Sequence, residues 1–417
     1  MTGVRAKTKS IVTALLCVAL LLATFLVLVP WSQAPAASSK LVTSLGLSSH
    51  SKPRTLTSPK PQTSGYFGIS IAVSGSTLVV GAYNENASGY VHAGRAYIFN
   101  ATTGARIRTL RSPEPQGGGG FGDSVAISGT TVVVGAEGEG AGHVYVFNAT
   151  TGALIHTLSS PNPQNLGSFG SSVAISGSTV VVGARNENAS GYEFAGHVYI
   201  FNSTTGALIH TLTSPNARTV GQFGFSVAIS GTTAVVGAIG ENVSGKVGAG
   251  HAYVFKTTTG ALISTLTSPN AQSGGHFGWS VAINDARVVV GALLETVSGN
   301  IGAGHVYVFR ATTGALISTL TSPNAQTNGY FGDSVGISGS KVVVGALSEE
   351  ASGIAGAGHA YVFKATSDTL VYNLTSPHAQ ADGNFGSSVA ISGTTIVVGA
   401  DFETASGYSE AGHAYVF

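Results

Sequence analysis

Hydrophobic positions in this chain fall into short blocks of two kinds. One is a continuous β-branched run, such as Val132-Val133-Val134 within Thr131 to Ala136. Such a run predicts a strand buried on both faces. The other kind alternates. Across Gly142 to Asn148, His143, Tyr145 and Phe147 share one face while Val144 and Val146 share the other, the period of a strand. Asp123 to Ser128 also alternates, and Ala153 to Ser160 forms a fourth block. Ser128-Gly129 and Thr150-Thr151-Gly152 divide the blocks as tight turns, and Pro161 ends the last. Residues 121–161 therefore read as four consecutive antiparallel strands.

The same phrase opens seven times with Phe-Gly, at Phe67, Phe121, Phe169, Phe223, Phe277, Phe331 and Phe385. The spacings are 54, 48, 54, 54, 54 and 54 residues. Four short strands repeated at this period make one blade of a β-propeller, since no single copy buries its own apolar surface. The last copy stops at Phe417, at the end of its third strand, while Arg54-Thr55-Leu56-Thr57-Ser58-Pro59 before the first copy matches His210 to Pro215 of a complete one. The expected fold is all-β: a seven-bladed propeller of four-stranded antiparallel blades over residues 53–417. Pro53 to Ser58 is expected to pair with Gly412 to Phe417 and close the ring. Pro53 is tolerable there because an outermost strand has one unpaired side.

Three phrases, Phe-Gly-x-Ser-Val-Ala-Ile-Ser-Gly, Val-Val-Val-Gly-Ala and Ala-Gly-His-x-Tyr-x-Phe, resemble the FG-GAP repeat, most closely its bacterial and archaeal variety. The resemblance covers residues 54–417. It implies a seven-bladed propeller like the head of integrin α-chains, and extracellular binding or adhesion. Calcium-binding members carry an Asp-rich loop between strands one and two. Here that connection is Ser-Gly, as at Ser74-Gly75 and Ser176-Gly177, and only Asn284-Asp285 offers a carboxylate. Calcium takes six to eight oxygens, several of them from carboxylates, so no metal or other cofactor is expected.

Composition sharpens this picture at the N-terminus and the surface. A basic stretch ending at Lys9, an apolar run from Ile11 to Val29 and the small-residue site Ala34-Pro35-Ala36 read as an export signal over residues 1–36, cleaved or retained as an anchor. Residues 37–52 read as a linker. Any membrane association is expected only through residues 11–29, and the location is secreted or cell-surface. The single cysteine, Cys17, lies in that run, so the exported part has no disulfides. Without Arg5, Lys7 and Lys9, 16 basic residues face 18 acidic ones, which gives no electrostatic footprint for nucleic acid. Sequons at Asn86, Asn100, Asn148, Asn188, Asn202, Asn242 and Asn373 fit a glycoprotein.

Two sets of side chains are candidates for chemistry. A Glu follows each Gly-Ala pair, as Glu85, Glu139, Glu187, Glu241, Glu295, Glu349 and Glu403. A His opens strand three, as His143, His197, His251, His305, His359 and His413, with Arg95 in the first repeat. Arg donates and never ligates a metal, so the ring reads as structural, each Glu accepting from its own His or Arg. The Tyr and Phe of strand three and the opening Phe read as core between blades. The variable loops join strands two and three, and strand four to the next blade. Antiparallel alternation puts both sets on one face. They carry Tyr66, Tyr83, Tyr90, Tyr192, Phe194, Phe402 and Tyr408, the expected contacts for an extracellular protein or glycan. Trp279 stands either at the channel mouth or in the core. No catalytic constellation appears, so the chain is expected not to be an enzyme. A quinoprotein-like propeller enzyme is the alternative suggested by Val144 to Gly152, weakened because only Trp31 and Trp279 are available for stacking. A purely structural surface protein is a third reading, since low charge permits lateral packing.

Overall fold

The computed structural model describes residues 52–417. The signal, the anchor and nearly all of the expected linker lie outside the described residues. Within them the chain forms 28 strands in seven four-stranded antiparallel sheets. In the second blade the strands are Val125–Ser128, Thr131–Ala136, His143–Asn148 and Leu154–Ser159, close to the blocks read from sequence.

Each first strand packs against the first strands of both neighbouring blades, and Ile71–Ser74 closes the circuit against Val389–Ser392. The first strands therefore surround the axis and the fourth strands lie outermost. The seventh blade is completed by Arg54–Thr57, which pairs antiparallel with His413–Val416; Leu56 lies opposite Ala414 and Arg54 opposite Val416. The expected clasp is present, with slightly shorter bounds.

The core is seven clusters at seven blade interfaces. The Val run serves two of them at once. Val132 and Val134 join the cluster of Phe121, Tyr145 and Phe147, while Val133 points the other way, to Phe169 and Val180. Leu56 and Val416 of the seventh blade pack with Phe67, Tyr97 and Phe99 of the first. Each opening Phe meets the Phe of its own third strand edge-on, at ring distances such as 6.0 Å for Phe121 and Phe147.

Backbone packs on backbone where Val-Val-Val-Gly-Ala of one blade meets Phe-Gly of the next. A Cβ built on Gly81, Gly135, Gly183, Gly237, Gly291, Gly345 or Gly399 would enter the carbonyl oxygen of Gly122, Gly170, Gly224, Gly278, Gly332, Gly386 or Gly68 respectively. Only glycine fits, which is why the pattern never varies.

The Ser-Gly turns that replace the calcium loops are tied to one another around the axis. Gly129 N donates to Ser74 Oγ at 3.3 Å, Gly177 N to Ser128 Oγ at 3.1 Å, Gly231 N to Ser176 Oγ at 3.1 Å, and Gly75 N to Ser392 Oγ at 3.1 Å. At the fifth blade Ser230 donates instead to Asp285 at 2.7 Å, and Asn284 donates to Gly339 O at 2.9 Å. Asp285 is thus a link in this belt. Among the described residues no group of three His, Cys, Asp or Glu side chains is placed to hold a metal ion.

Candidate functional site

Each repeated Glu side chain is fully buried just beyond its second strand. Its carboxylate accepts the hydroxyl of the third-strand Tyr: Tyr97 to Glu85, Tyr145 to Glu139, Tyr199 to Glu187 and Tyr361 to Glu349 at 2.5 Å, and Tyr307 to Glu295 at 2.6 Å. Tyr253 donates to Glu241 and Tyr415 to Glu403 in the same way. Arg95 Nη1 stands 2.8 Å from Glu85. The imidazole nitrogens of His197, His251, His305 and His413 lie 2.9, 3.0, 3.0 and 2.7 Å from Glu187, Glu241, Glu295 and Glu403. His359 is 3.4 Å from Glu349 and His143 is 3.7 Å from Glu139. These ring nitrogens are close but poorly aligned, so the Tyr hydroxyl makes the directed bond.

A third partner comes from the preceding blade. Ser58 and Ser214 donate to Glu85 and Glu241, and Ser160 donates to Glu187 at 2.5 Å. The cluster therefore bolts one blade to the next. Burial raises Glu85 and Glu139 above the usual carboxylate range and pushes Glu349 up to about 7. Burial also pushes His359 down to about 4. Both shifts favour the uncharged forms of the sixth blade's pair. The Ser and Tyr partners escape a sequence reading aimed at charged groups. Their signal is there: all seven copies keep Ser before Pro, and all seven keep Tyr where Phe would pack equally well.

The two variable loop sets do share one face. Backbone bonds knit them together: Gly118 N donates to Val91 O at 2.9 Å, and Ser64 N donates to Ser409 O at 2.8 Å. Six of the strand-two-to-three loops end in a two-residue turn closed by an isolated bridge, such as Ala87 with Tyr90 and Ala189 with Tyr192. The second blade, whose repeat is six residues shorter, lacks this tip, and the crown of loops is notched there. Of the sequence candidates, Tyr90, Tyr192, Phe194, Phe402 and Tyr408 are exposed. Tyr66 and Tyr83 are only half-buried, because Tyr66 stacks between Phe402 at 5.0 Å and Tyr83 at 5.6 Å. Trp279 lies half-buried with its ring 4.7 Å from Phe225, and its Nε1 donates to Asp333 at 3.0 Å. A cavity of about 410 Å³ opens elsewhere on the loop side, among Pro323, Asn324, Ser352, His359 and Tyr361.

Several sequons have conformational employment. Asn100, Asn148 and Asn202 accept backbone N–H bonds from the turn that follows, at 2.8 to 2.9 Å. Asn86, Asn188 and Asn242 brace loop tips by accepting from His92, Phe194 and Gly248 at 3.0 Å. Their recurrence follows from turn geometry.

Comparison with known proteins places these features. The profile of the FG-GAP repeat matches seven segments, residues 51–99, 108–147, 159–201, 208–255, 262–309, 316–363 and 369–417. No curated protein matches the chain in a sequence search. Among solved structures, the computationally designed Ika8 protein is similar over 87% of this chain and 98% of its own, with TM-score 0.52 and 16% identity. That likeness concerns the fold alone.

Proposed function

This chain belongs to the FG-GAP repeat family, and from that premise we propose that it is an exported, non-enzymatic binding or adhesion module. Its partner is an extracellular protein or glycan, held on the loop face. One observation carries the reading. Every exposed large aromatic side chain of the described residues (Tyr90, Tyr192, Phe194, Phe402 and Tyr408) lies on that face, while the opposite face is built from tight turns, Ser-Gly or Thr-Gly in all but two cases. Aromatics on a braced frame supply contact area at little ordering cost. The seven-way bracing by Glu, Tyr and Ser supplies that frame.

An array of extracellular-matrix proteins and glycans, probed with the exported protein, tests the assignment. Binding is expected to fall at least about tenfold in a Tyr90→Ser, Tyr192→Ser, Tyr408→Ser variant, the loss of several aromatic contacts. It is expected to persist in a Thr204→Ala variant of the turn face. Equal binding by both variants would remove the loop face from consideration.

A tiling role has one observation in its favour. Consecutive outer strands expose apolar pairs, Leu154 with Ile155, Leu208 with Ile209, and Leu262 with Ile263. If these edges pack laterally, light scattering will show a mass that grows with concentration, and Ile155→Lys with Ile209→Lys will abolish the growth. A concentration-independent monomer ends that reading.

A further inference from the structure

The sixth blade breaks the repeat at its outer corner. In the first five blades the turn between strands three and four ends in Gly104, Gly152, Gly206, Gly260 and Gly314, all at positive φ. A Cβ built on any of them would stand 2.6 to 3.4 Å from a side chain of the preceding blade's outer strand. In the sixth blade Asp368 takes that place without a positive φ. A side chain has little room in the glycine's seat, and the turn is rebuilt. Ser367 N donates to Lys364 O at 3.3 Å, where the fifth blade has Gly314 N donating to Arg310 O at 2.9 Å.

Beside this corner lies the cavity of about 410 Å³, within the ~300–1,000 Å³ of small-ligand sites. Its floor is the outer part of the sixth blade. Asn373 lies opposite Tyr361, and Leu370 opposite Phe363, across the two outer strands. Directly opposed residues share a face, here the face that packs on Val306 and Val308 of the fifth blade. The connector between the fifth and sixth blades and the loop after Glu349 form the rim. Asn324 Nδ2 donates to Glu350 O at 3.1 Å, and Gln326 Oε1 accepts from Glu350 N at 3.0 Å, so the rim is held in place before any ligand arrives.

Two of the lining side chains stand at their repeat position in this blade alone. Every other copy has Thr in place of Asn373, and Asn, Thr or Gly in place of Glu350. A scaffold copied seven times has thus changed on the floor and on the rim of one groove. His359, also in the lining, is only 6% exposed. Burial pushes it down to about 4, so the imidazole is neutral at pH 7. Its Nδ1 has no hydrogen-bond partner among the described residues, so no bond fixes its tautomer and the other nitrogen can donate or accept. Ser352 adds a hydroxyl, and Pro323 and Leu370 add apolar surface.

We propose that this groove binds a neutral sugar, with Asn373, Glu350 and His359 holding its hydroxyls and Leu370 and Pro323 against the C–H face of its ring. Amides both donate and accept, and a carboxylate accepts strongly. That mixture matches a ligand whose every polar group is a hydroxyl. An anion would meet Glu350, with no Lys or Arg in the lining to balance it. A purely apolar ligand would leave the polar lining unpaired. The inference rests on the binding role proposed above and narrows its partner to a glycan. The groove belongs to the fifth and sixth blades, whereas Tyr90, Tyr192 and Tyr408 stand on the first, third and seventh.

The test is isothermal titration of the full exported chain with maltose, lactose and N,N′-diacetylchitobiose. The chain is made in a host without N-glycosylation, because Asn373 opens a sequon. Sorbitol, which carries hydroxyls but no ring face, is the control. Saturable binding of at least one disaccharide is expected. Asn373→Thr and Glu350→Thr each restore a residue that sister blades carry at that position, so both are expected to fold, as circular dichroism will confirm. Each is expected to weaken binding at least about tenfold. Tyr90→Ser is expected to leave it unchanged.

Absence of saturable binding by all three disaccharides, equal binding of sorbitol, or unchanged affinity in both groove variants would overturn the proposal. Sugar binding that falls in Tyr90→Ser and survives both groove variants would overturn it too, by moving the sugar to the loop tips. The array of extracellular-matrix proteins separates this failure from that of the wider reading. A protein captured there while every disaccharide fails here leaves the binding role standing and removes the groove alone.

Discussion

Deletion of residues 53–58 is expected to cost at least about 5 kcal/mol of stability and to turn a monomer into an aggregating species. Three losses add. Arg54–Thr57 leaves the backbone of His413–Val416 unpaired, an exposed edge that recruits other chains. Leu56, buried between the seventh and first blades, takes about 2 kcal/mol of apolar burial with it. Ser58 donates to Glu85 across the same interface, so its removal strips a fully buried carboxylate of one partner. Domains commonly hold only about 5 to 15 kcal/mol in total, so most of the margin is at stake. Thermal unfolding followed by circular dichroism, with the mass measured by light scattering after size exclusion, checks this. A deleted chain that stays monomeric with its midpoint within about 2 °C of the parent would show that the ring is held without its clasp.

Gly399→Ala is expected to cost at least about 3 kcal/mol, although it adds a single methyl group. Gly399 is in strand Thr395–Ala400 with a backbone that alanine adopts freely, so conformation contributes nothing to the loss. The methyl carbon would enter the carbonyl oxygen of Gly68, which is backbone and cannot turn aside. Relief requires the first and seventh blades to separate, and these are joined by the clasp rather than by a direct run of chain. Gly393→Ala is the control. That residue has φ of 60° and nothing within 4 Å of a built Cβ, so its cost is the conformational one of about 1 kcal/mol. Denaturant midpoints of the two variants separate packing from conformation. Equal costs would mean that the blades are not in backbone contact at the closure.

The repeat was legible because its physics is local. A β-branched triplet, an alternating strip and a Gly-containing turn each declare themselves within six residues, and seven copies remove the ambiguity of one. That each Glu lies near the His or Arg opening its own third strand follows from their fixed places in one blade. Only Arg95 donates to its Glu, however; in the other six blades the donor from that strand is the Tyr, and the imidazole nitrogens facing the Glu make no hydrogen bond. The Ser58-to-Glu85 and Ser160-to-Glu187 bonds were not legible, because each joins residues 27 positions apart in different blades. Tyr66 and Tyr83 looked like free surface aromatics, yet ring closure brings Phe402 beside them and half-buries both.

By itself the amino-acid order determined the strands, their number per blade, the closing segment and the absence of disulfides beyond Cys17, because hydrophobic period and turn chemistry act between near neighbours. Only the closed ring decided what stands at its axis. Asp123, Arg185, Phe225, Trp279, Asp333 and Asp401 span almost the whole propeller in sequence and occupy different blades. Asp123, Phe225, Trp279 and Asp333 share one position of the repeat and Arg185 and Asp401 another; they meet because ring closure turns those positions toward a common centre, where charge and desolvation act through space.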